Sequence, residues 1–137
     1  MDFSKAFDTV DHTILCNKLN KYGIRGAALE WMKSYLCDRQ QYVFYDDHCS
    51  DKKTLKCGVP QGSVLGPLLF ILYINDIVNV STFLLPILFA DDTNAIASGN
   101  NLDDLVTKIN EELEKLKIWL TANKLSLNIK KNTLYVL

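Results

Sequence analysis

The stretch Phe83-Leu84-Leu85-Pro86-Ile87-Leu88-Phe89-Ala90-Asp91-Asp92-Thr93 decides how the chain is read. An apolar run drives into two adjacent carboxylates, and a second short apolar stretch, Ala95-Ile96-Ala97, follows at once. The pattern predicts strand, tight turn, strand, with two acids at the tip. Aspartate is a common turn former, yet like charges side by side repel and add nothing to stability. On its own the pair fits an ordinary turn as well as a ligand site, so the flanking sequence has to decide.

Upstream, Val64 to Asn79 is apolar on nearly every side (Leu65, Leu68, Leu69, Phe70, Ile71, Leu72, Ile74), which predicts a buried central helix. Ser63 stands where an N-cap would, and Pro67 falls in the first turns. Just before it, Gly58-Val59-Pro60-Gln61-Gly62-Ser63 places two glycines and a proline in five residues. That predicts a constrained turn whose backbone can approach a ligand closely, and the helix start beside it favours phosphates.

Further back, Gln41 to Tyr45 has strand propensity, Asp46 to Ser50 reads as a polar turn, and Thr54 to Cys57 as the return strand. Lys52, Lys53 and Lys56 read as a solvated hairpin face. Two helices precede this hairpin. Asp11 caps the first, with Ile14, Leu15, Leu19 and Tyr22 at helical spacing and Gly23 at its end. The second runs from about Ala27 to Cys37 over a stripe of Leu29, Met32, Tyr35 and Leu36; His12 and Trp31 read as structural.

Downstream, Ser98-Gly99-Asn100 is a turn and Asn101 caps a long helix with Asp103 and Asp104 in its first turn. Leu102, Leu105, Val106, Ile109, Leu113, Leu116 and Leu120 keep a helical period, so this is an amphipathic helix laid on a sheet. Lys124 to Ile129 alternates like a strand, and Thr133 to Leu137 reads as a last apolar strand. The sum is a few antiparallel strands with helices on one face, which is α+β and not a doubly wound α/β sheet.

The chain of 137 residues suits one domain, and 48% hydrophobic content suits a folded one. The net charge of −1 argues mildly against a nucleic-acid binder, although an acidic metal cleft facing a phosphate backbone averages to neutral. Cys16, Cys37, Cys49 and Cys57 match no zinc spacing and read as thiols in a reducing compartment. Met1 to Lys5 has no apolar signal region. Asn75 and Asp76 cut the longest apolar run too short for a membrane span. An intracellular protein, in cytoplasm or nucleus, is expected.

Asp2, Asp91 and Asp92 now stand out. If their strands lie side by side, three carboxylates converge, and a few hard oxygen ligands with room for water and phosphate suit Mg²⁺. Two such ions can clamp an in-line phosphoryl displacement.

Four stretches carry a family resemblance. Asp2-Phe3-Ser4-Lys5-Ala6-Phe7-Asp8-Thr9-Val10-Asp11-His12 resembles the first palm motif of non-LTR retrotransposon reverse transcriptases. Cys57-Gly58-Val59-Pro60-Gln61-Gly62-Ser63-Val64-Leu65-Gly66-Pro67 resembles the second, and Phe89-Ala90-Asp91-Asp92 the third. Trp119, Asn123-Lys124-Leu125-Ser126-Leu127-Asn128 and Lys131 resemble the fourth. The order and spacing are right, the resemblance covers essentially the whole chain, and it is similar to jockey-type LINE elements of animals.

The resemblance implies an RNA-directed DNA polymerase palm over residues 1–137 that joins a deoxynucleotide to a primer 3′-hydroxyl. It implies two Mg²⁺ ions (Mn²⁺ as a substitute) on Asp2, Asp91 and Asp92 with the Phe3 carbonyl. It implies Phe7 as the ring that excludes a ribose 2′-hydroxyl, Gln61 and Lys131 on the nucleotide, and Pro60 and Gly62 on the template side. The partners implied are an RNA template, a DNA primer and a deoxynucleoside triphosphate, with no membrane.

Two departures qualify the match. The fourth motif usually reads Lys-Thr, whereas Lys130-Lys131-Asn132-Thr133 stands here and leaves its register open. A palm truncated at both ends, with fingers and thumb largely absent, is expected, with exposed apolar surface and little processive synthesis in isolation. The alternative is a non-catalytic retrotransposon relic that binds nucleic acid or a partner. A viral RNA-dependent RNA polymerase fits less well, because Phe7 and Pro60-Gln61-Gly62 resemble reverse transcriptase features.

Overall fold

The Asp11 side chain accepts the Ile14 amide at 3.0 Å and so starts helix α1, His12–Lys21, as its sequence predicts. At the far end Ile24 donates to the Leu19 carbonyl and Gly23 to that of Asn20, which satisfies the last turn. Helix α2, Ala27–Leu36, follows after a short link. The computed structural model describes residues 3–89 and 92–128 of the chain. It divides into two units, Phe7–Leu72 on one side and Met1–Ala6 with Tyr73–Leu137 on the other.

In the Phe7–Leu72 unit, Leu15 and Leu19 of α1 and Leu36 of α2 are fully buried. The predicted α2 stripe is only partly realised, since Leu29, Met32 and Tyr35 are half-buried. Trp31, expected to be structural, is 56% exposed and stacks on Tyr35 with 5.9 Å between ring centres.

A two-part antiparallel hairpin comes next. Strand β1, Gln40–Gln41, and β2, Phe44–Tyr45, return as β3, His48–Cys49, and β4, Lys53–Thr54. Phe44 pairs with Cys49 and Tyr45 with His48, while Gln40 pairs with Thr54 and Gln41 with Lys53. Tyr42 and Val43 therefore face three residues, 50–52, so the return strand carries a bulge.

The turn is shorter than the predicted Asp46 to Ser50. Asp46 and Asp47, both at positive φ (47° and 57°), make a two-residue connection of the type that matches strand twist. The expected return strand at Thr54 to Cys57 accordingly starts earlier, at His48.

Helix α3, Leu65–Ile74, and a 3₁₀ turn, Asn75–Asn79, occupy the predicted helical stretch. Leu69, Phe70, Tyr73 and Ile74 are fully buried, but Val64, Leu68 and Ile71 are exposed. The expectation of a helix buried on all sides is thus corrected. An evenly apolar sequence carries no period to mark the packed side.

In the second unit, β5, Leu85–Phe89, pairs antiparallel with β6, Asp92–Ile96, from Leu85↔Ile96 to Phe89↔Asp92. Side chains alternate, so Pro86, Leu88, Thr93 and Ala95 share one face and Leu85, Ile87, Phe89, Asp92, Asn94 and Ile96 the other. Thr93 is fully buried, whereas all six residues of the second face are exposed. Pro86 and Ala95 line a small cavity with Glu112 and Leu116 of α4, Leu102–Ala122. The long helix therefore sits on one face of this hairpin and leaves the other open.

Asn101 caps α4 as predicted, its side-chain oxygen accepting the Asp103 amide at 2.9 Å. Leu116 and Leu120 are buried, but Leu102, Val106 and Leu113 of the same stripe are exposed. Glu112 is buried and bonded to Lys115 at 2.7 Å. The Lys115 ammonium, then the Ser81 hydroxyl, hold its carboxyl below the usual carboxylate range.

The fully buried Tyr73 donates its hydroxyl to the Asn123 carbonyl at 2.6 Å, which ties Tyr73 to the end of α4. Lys124 adopts φ +53° and closes α4, with Leu125 donating to the Leu120 carbonyl. Of the predicted strand from Lys124 to Ile129, the described residues show an antiparallel bridge, Leu127 with Phe3, beside a bond from the Ser4 amide to the Ser126 carbonyl at 2.8 Å; Ile129 lies outside them. The predicted strand at Thr133 to Leu137 lies outside the described residues. With four helices and small antiparallel sheets, the described residues form an α+β fragment.

Candidate functional site

Two sequence motifs far apart in the chain meet in the Phe7–Leu72 unit. The Val59 amide donates to the Phe7 carbonyl at 2.8 Å, and the Gly58 amide to the Val10 carbonyl at 2.8 Å. Asp11 and Cys57 form an antiparallel bridge alongside. The His12 imidazole Nε2 lies 2.8 Å from the Gly58 carbonyl oxygen, and since a carbonyl only accepts, Nε2 carries the proton. His12 is thus structural, as its sequence context suggests.

Gly58 is required at this corner. It sits at φ +87°, and a Cβ there would lie 3.0 Å from the Asp8 carbonyl oxygen and 3.1 Å from the Asp8 Cα. Only a residue without a side chain allows the two backbones this close.

The turn after Gly58 is closed from within. The Ser63 hydroxyl donates to the Pro60 carbonyl at 2.8 Å and accepts the Gly66 amide at 3.0 Å. Ser63 therefore serves α3 as a cap and the turn as a brace. Gly66 is a second enforced glycine, because a Cβ on it would run into the Pro60 carbonyl oxygen.

On this frame stand four residues singled out from the sequence. Phe7 is half-buried, its ring 5.1 Å from that of the fully buried Phe70. Pro60 is half-buried, and Gln61 and Gly62 are exposed. The Gln61 Nε2 donates to Asp8 Oδ1 at 2.8 Å. Asp8 was not among the residues picked from the sequence, although it stands next to Phe7 inside the first motif. Its partner is 53 positions away, and no local pattern announces such a contact.

The other candidates belong to the second unit or lie outside the described residues. Phe3 is buried and bridged to Leu127. Asp92 is exposed on the open face of the β5–β6 hairpin, directly opposite Phe89. Asp2, Asp91 and Lys131 lie outside the described residues. Among the described residues no group of three His, Cys, Asp or Glu gathers to hold a metal ion. Of the three candidate carboxylates, Asp92 is the one among the described residues, and as an exposed carboxylate it fits the donor type a hard divalent cation needs. Among the described residues no helix is long and apolar enough to cross a membrane.

The structure thus fastens the Gly58–Ser63 turn to Phe7 and Asp8 in one unit and carries Asp92 on a hairpin in the other, and a comparison with known families identifies the class of protein. Residues 1–136 match the family described as Reverse transcriptase (RNA-dependent DNA polymerase), and the chain belongs to that family. It is 32% identical over 132 residues to a probable RNA-directed DNA polymerase from transposon BS of Drosophila melanogaster, covering 87% of this chain and 14% of that protein. It is 28% identical over 138 residues to the RNA-directed DNA polymerase from mobile element jockey of the same fly, covering 96% of this chain and 15% of that protein. A 76-residue match to a probable RNA-directed DNA polymerase from transposon X-element, also of Drosophila melanogaster, reaches 41% identity over 56% of this chain and 8% of that protein. The chain thus spans 14–15% of the length of the first two relatives.

Proposed function

We propose that the chain is the palm of a non-LTR retrotransposon reverse transcriptase and carries the nucleotidyl-transfer site of that enzyme. The observation that carries this reading is the corner where Gln61 of the second motif is bonded to Asp8 of the first, beside Phe7. In this reading residues 1–137 form one palm domain. Phe7 presents its ring edge where a ribose 2′-hydroxyl would stand and so selects deoxynucleotides. Gln61 touches the incoming nucleotide, and Pro60 and Gly62 shape the template side.

Asp2, Asp91 and Asp92, with the Phe3 carbonyl, would hold two Mg²⁺ ions, which when bound lower the cost of ionising the primer 3′-hydroxyl and of releasing pyrophosphate. The primer hydroxyl gives its proton to solvent and its oxygen bonds to the α-phosphorus as the bond from that phosphorus to the α–β bridging oxygen breaks and pyrophosphate leaves. Lys131 is placed in this reading as the proton source for the departing pyrophosphate. The open hairpin face with Asp92 and Phe89 supports the reading, because a face free of helices leaves room for a nucleic-acid end. The proposed partners are an RNA template, a DNA primer and deoxynucleoside triphosphates inside the cell.

The test replaces the aligned segment of a jockey-type polymerase with this chain and measures primer extension on an RNA template with Mg²⁺. Extension is expected, and Asp91→Asn in the chimera is expected to lower it by about a thousandfold or more, the scale of losing a metal-bound charge at the transition state. An intact chimera that binds primer–template but never extends it would favour the relic reading instead.

A further inference from the structure

We infer that Asp8 is a positioning residue for Gln61: its carboxylate fixes which face of the Gln61 amide meets the nucleotide. The inference rests on the proposed function and goes one residue beyond it.

A glutamine amide has two chemically opposite ends, an NH₂ that donates and a carbonyl that accepts. Free in solution, it can turn either end to a ligand. Here Nε2 lies 2.8 Å from Asp8 Oδ1. A carboxylate can only accept, so this contact holds one N–H of the NH₂ group on Asp8 and thereby fixes which way round the amide stands. Oε1 then stands in a fixed place as an acceptor, with the second N–H beside it, and suits a donor group on the nucleotide such as a sugar hydroxyl.

Both ends of the contact stand on backbone that has little freedom. The Asp8 main chain is pressed against Gly58, where a Cβ would come within 3.0 Å of its carbonyl oxygen. The Gln61 main chain is held in a turn braced by the Ser63 hydroxyl on the Pro60 carbonyl. Asp8 and Gln61 are themselves exposed, and an exposed polar contact adds little to stability. Its value lies in order. A glutamine side chain loses torsional freedom when a ligand fixes it, and a contact made beforehand removes that cost from binding. Phe7, next to Asp8 in the chain, is held by the same corner, so the ring and the amide keep a constant spacing.

The experiment uses the chimeric polymerase described above, with Asp8→Asn, Asp8→Ala, Asp8→Glu, Gln61→Ala and Asp8→Ala/Gln61→Ala. Asp8→Ala frees the amide, and Asp8→Asn can also donate, which allows the amide to flip. Both are expected to raise KM for the deoxynucleotide about three- to tenfold with kcat changed less, the range of one polar contact. Asp8→Glu, which keeps an acceptor, is expected to recover part of the affinity. The double variant is expected to be no worse than Gln61→Ala alone, because the two residues act as one unit. Discrimination between a deoxynucleotide and its 3′-deoxy analogue is expected to narrow in Asp8→Asn.

A second readout needs no activity. In the 137-residue chain, the Gln61 side-chain amide proton signals are expected to shift to free-amide positions in Asp8→Ala while the backbone signals of residues 58–66 stay. Additive KM effects, or an unchanged KM in Asp8→Ala, would overturn the inference and leave the polymerase reading intact. An unsubstituted chimera that shows no dependence on nucleotide would sink both.

Discussion

The corner between Phe7–His12 and Gly58–Ser63 and the β5–β6 hairpin each carry candidate residues, and the two are built in opposite ways. At the corner every approach is enforced: backbone bonds of 2.8 Å from Gly58 and Val59, the His12 bond at 2.8 Å, and a glycine without which the chains would collide. The hairpin is secured on one face only, where Thr93 is buried, and its acid-bearing face is exposed from Leu85 to Ile96. The difference fits what each half would handle. A residue that selects a small ligand gains from being set in advance. A face that receives a chain end must stay uncovered.

The contrast breaks first at Gly58. Gly58→Ala places a side chain at φ +87° and within 3.0–3.1 Å of Asp8 and Phe7 backbone atoms. Nothing flexible lies there to move aside, so a loss of about 2–3 kcal/mol in urea unfolding is expected from backbone strain and collision. A loss below about 0.5 kcal/mol, the ordinary range of surface changes, would mean that the corner is as loose as the hairpin.

His12→Ala should cost less. It removes one part-buried hydrogen bond to the Gly58 carbonyl and leaves the backbone pairing in place. The expected loss is about 1 kcal/mol. His12→Gln, whose amide NH₂ can reach the same carbonyl, should restore part of it. Equal losses in both variants would assign the effect to packing and not to the bond.

How much of this was legible follows from the range of each interaction. The caps at Asp11 and Asn101 were readable because cap chemistry lies within three residues of the cap. The pairing of β5 with β6 was readable because strand alternation is local too. The turn at Asp46-Asp47 was overestimated in length, because positive φ at two aspartates is not distinguishable in a run of polar residues.

Lys124 at φ +53° ends α4 in a position glycine usually takes, so the predicted strand cannot begin at Lys124 itself, and the described residues beyond it show a bridge at Leu127. The exposed side of α3 could not be read from an evenly apolar sequence. At the site, Phe7 and Gln61 were found through family resemblance, and nothing in their spacing shows that they share a corner. Asp8 was missed because its contact with Gln61 exists only after residues 53 apart have been brought together.

The smallest expected effect sharpens the contrast from the hairpin side. Ile87 lies on the open face between Leu85 and Phe89, opposite Asn94, and is 48% exposed. Ile87→Thr keeps the β-branched shape that suits a strand and removes apolar surface already in contact with water. Stability should therefore stay within about 0.5 kcal/mol of the parent chain. Self-association, followed by light scattering, should fall, because Leu85, Ile87, Phe89 and Ile96 form an exposed apolar patch. A loss of more than about 1.5 kcal/mol would mean that the folded chain covers this face, since only burial makes a methyl group cost that much. The proposal that a primer end is received beside Asp92 would then fail, because the face it needs would be covered.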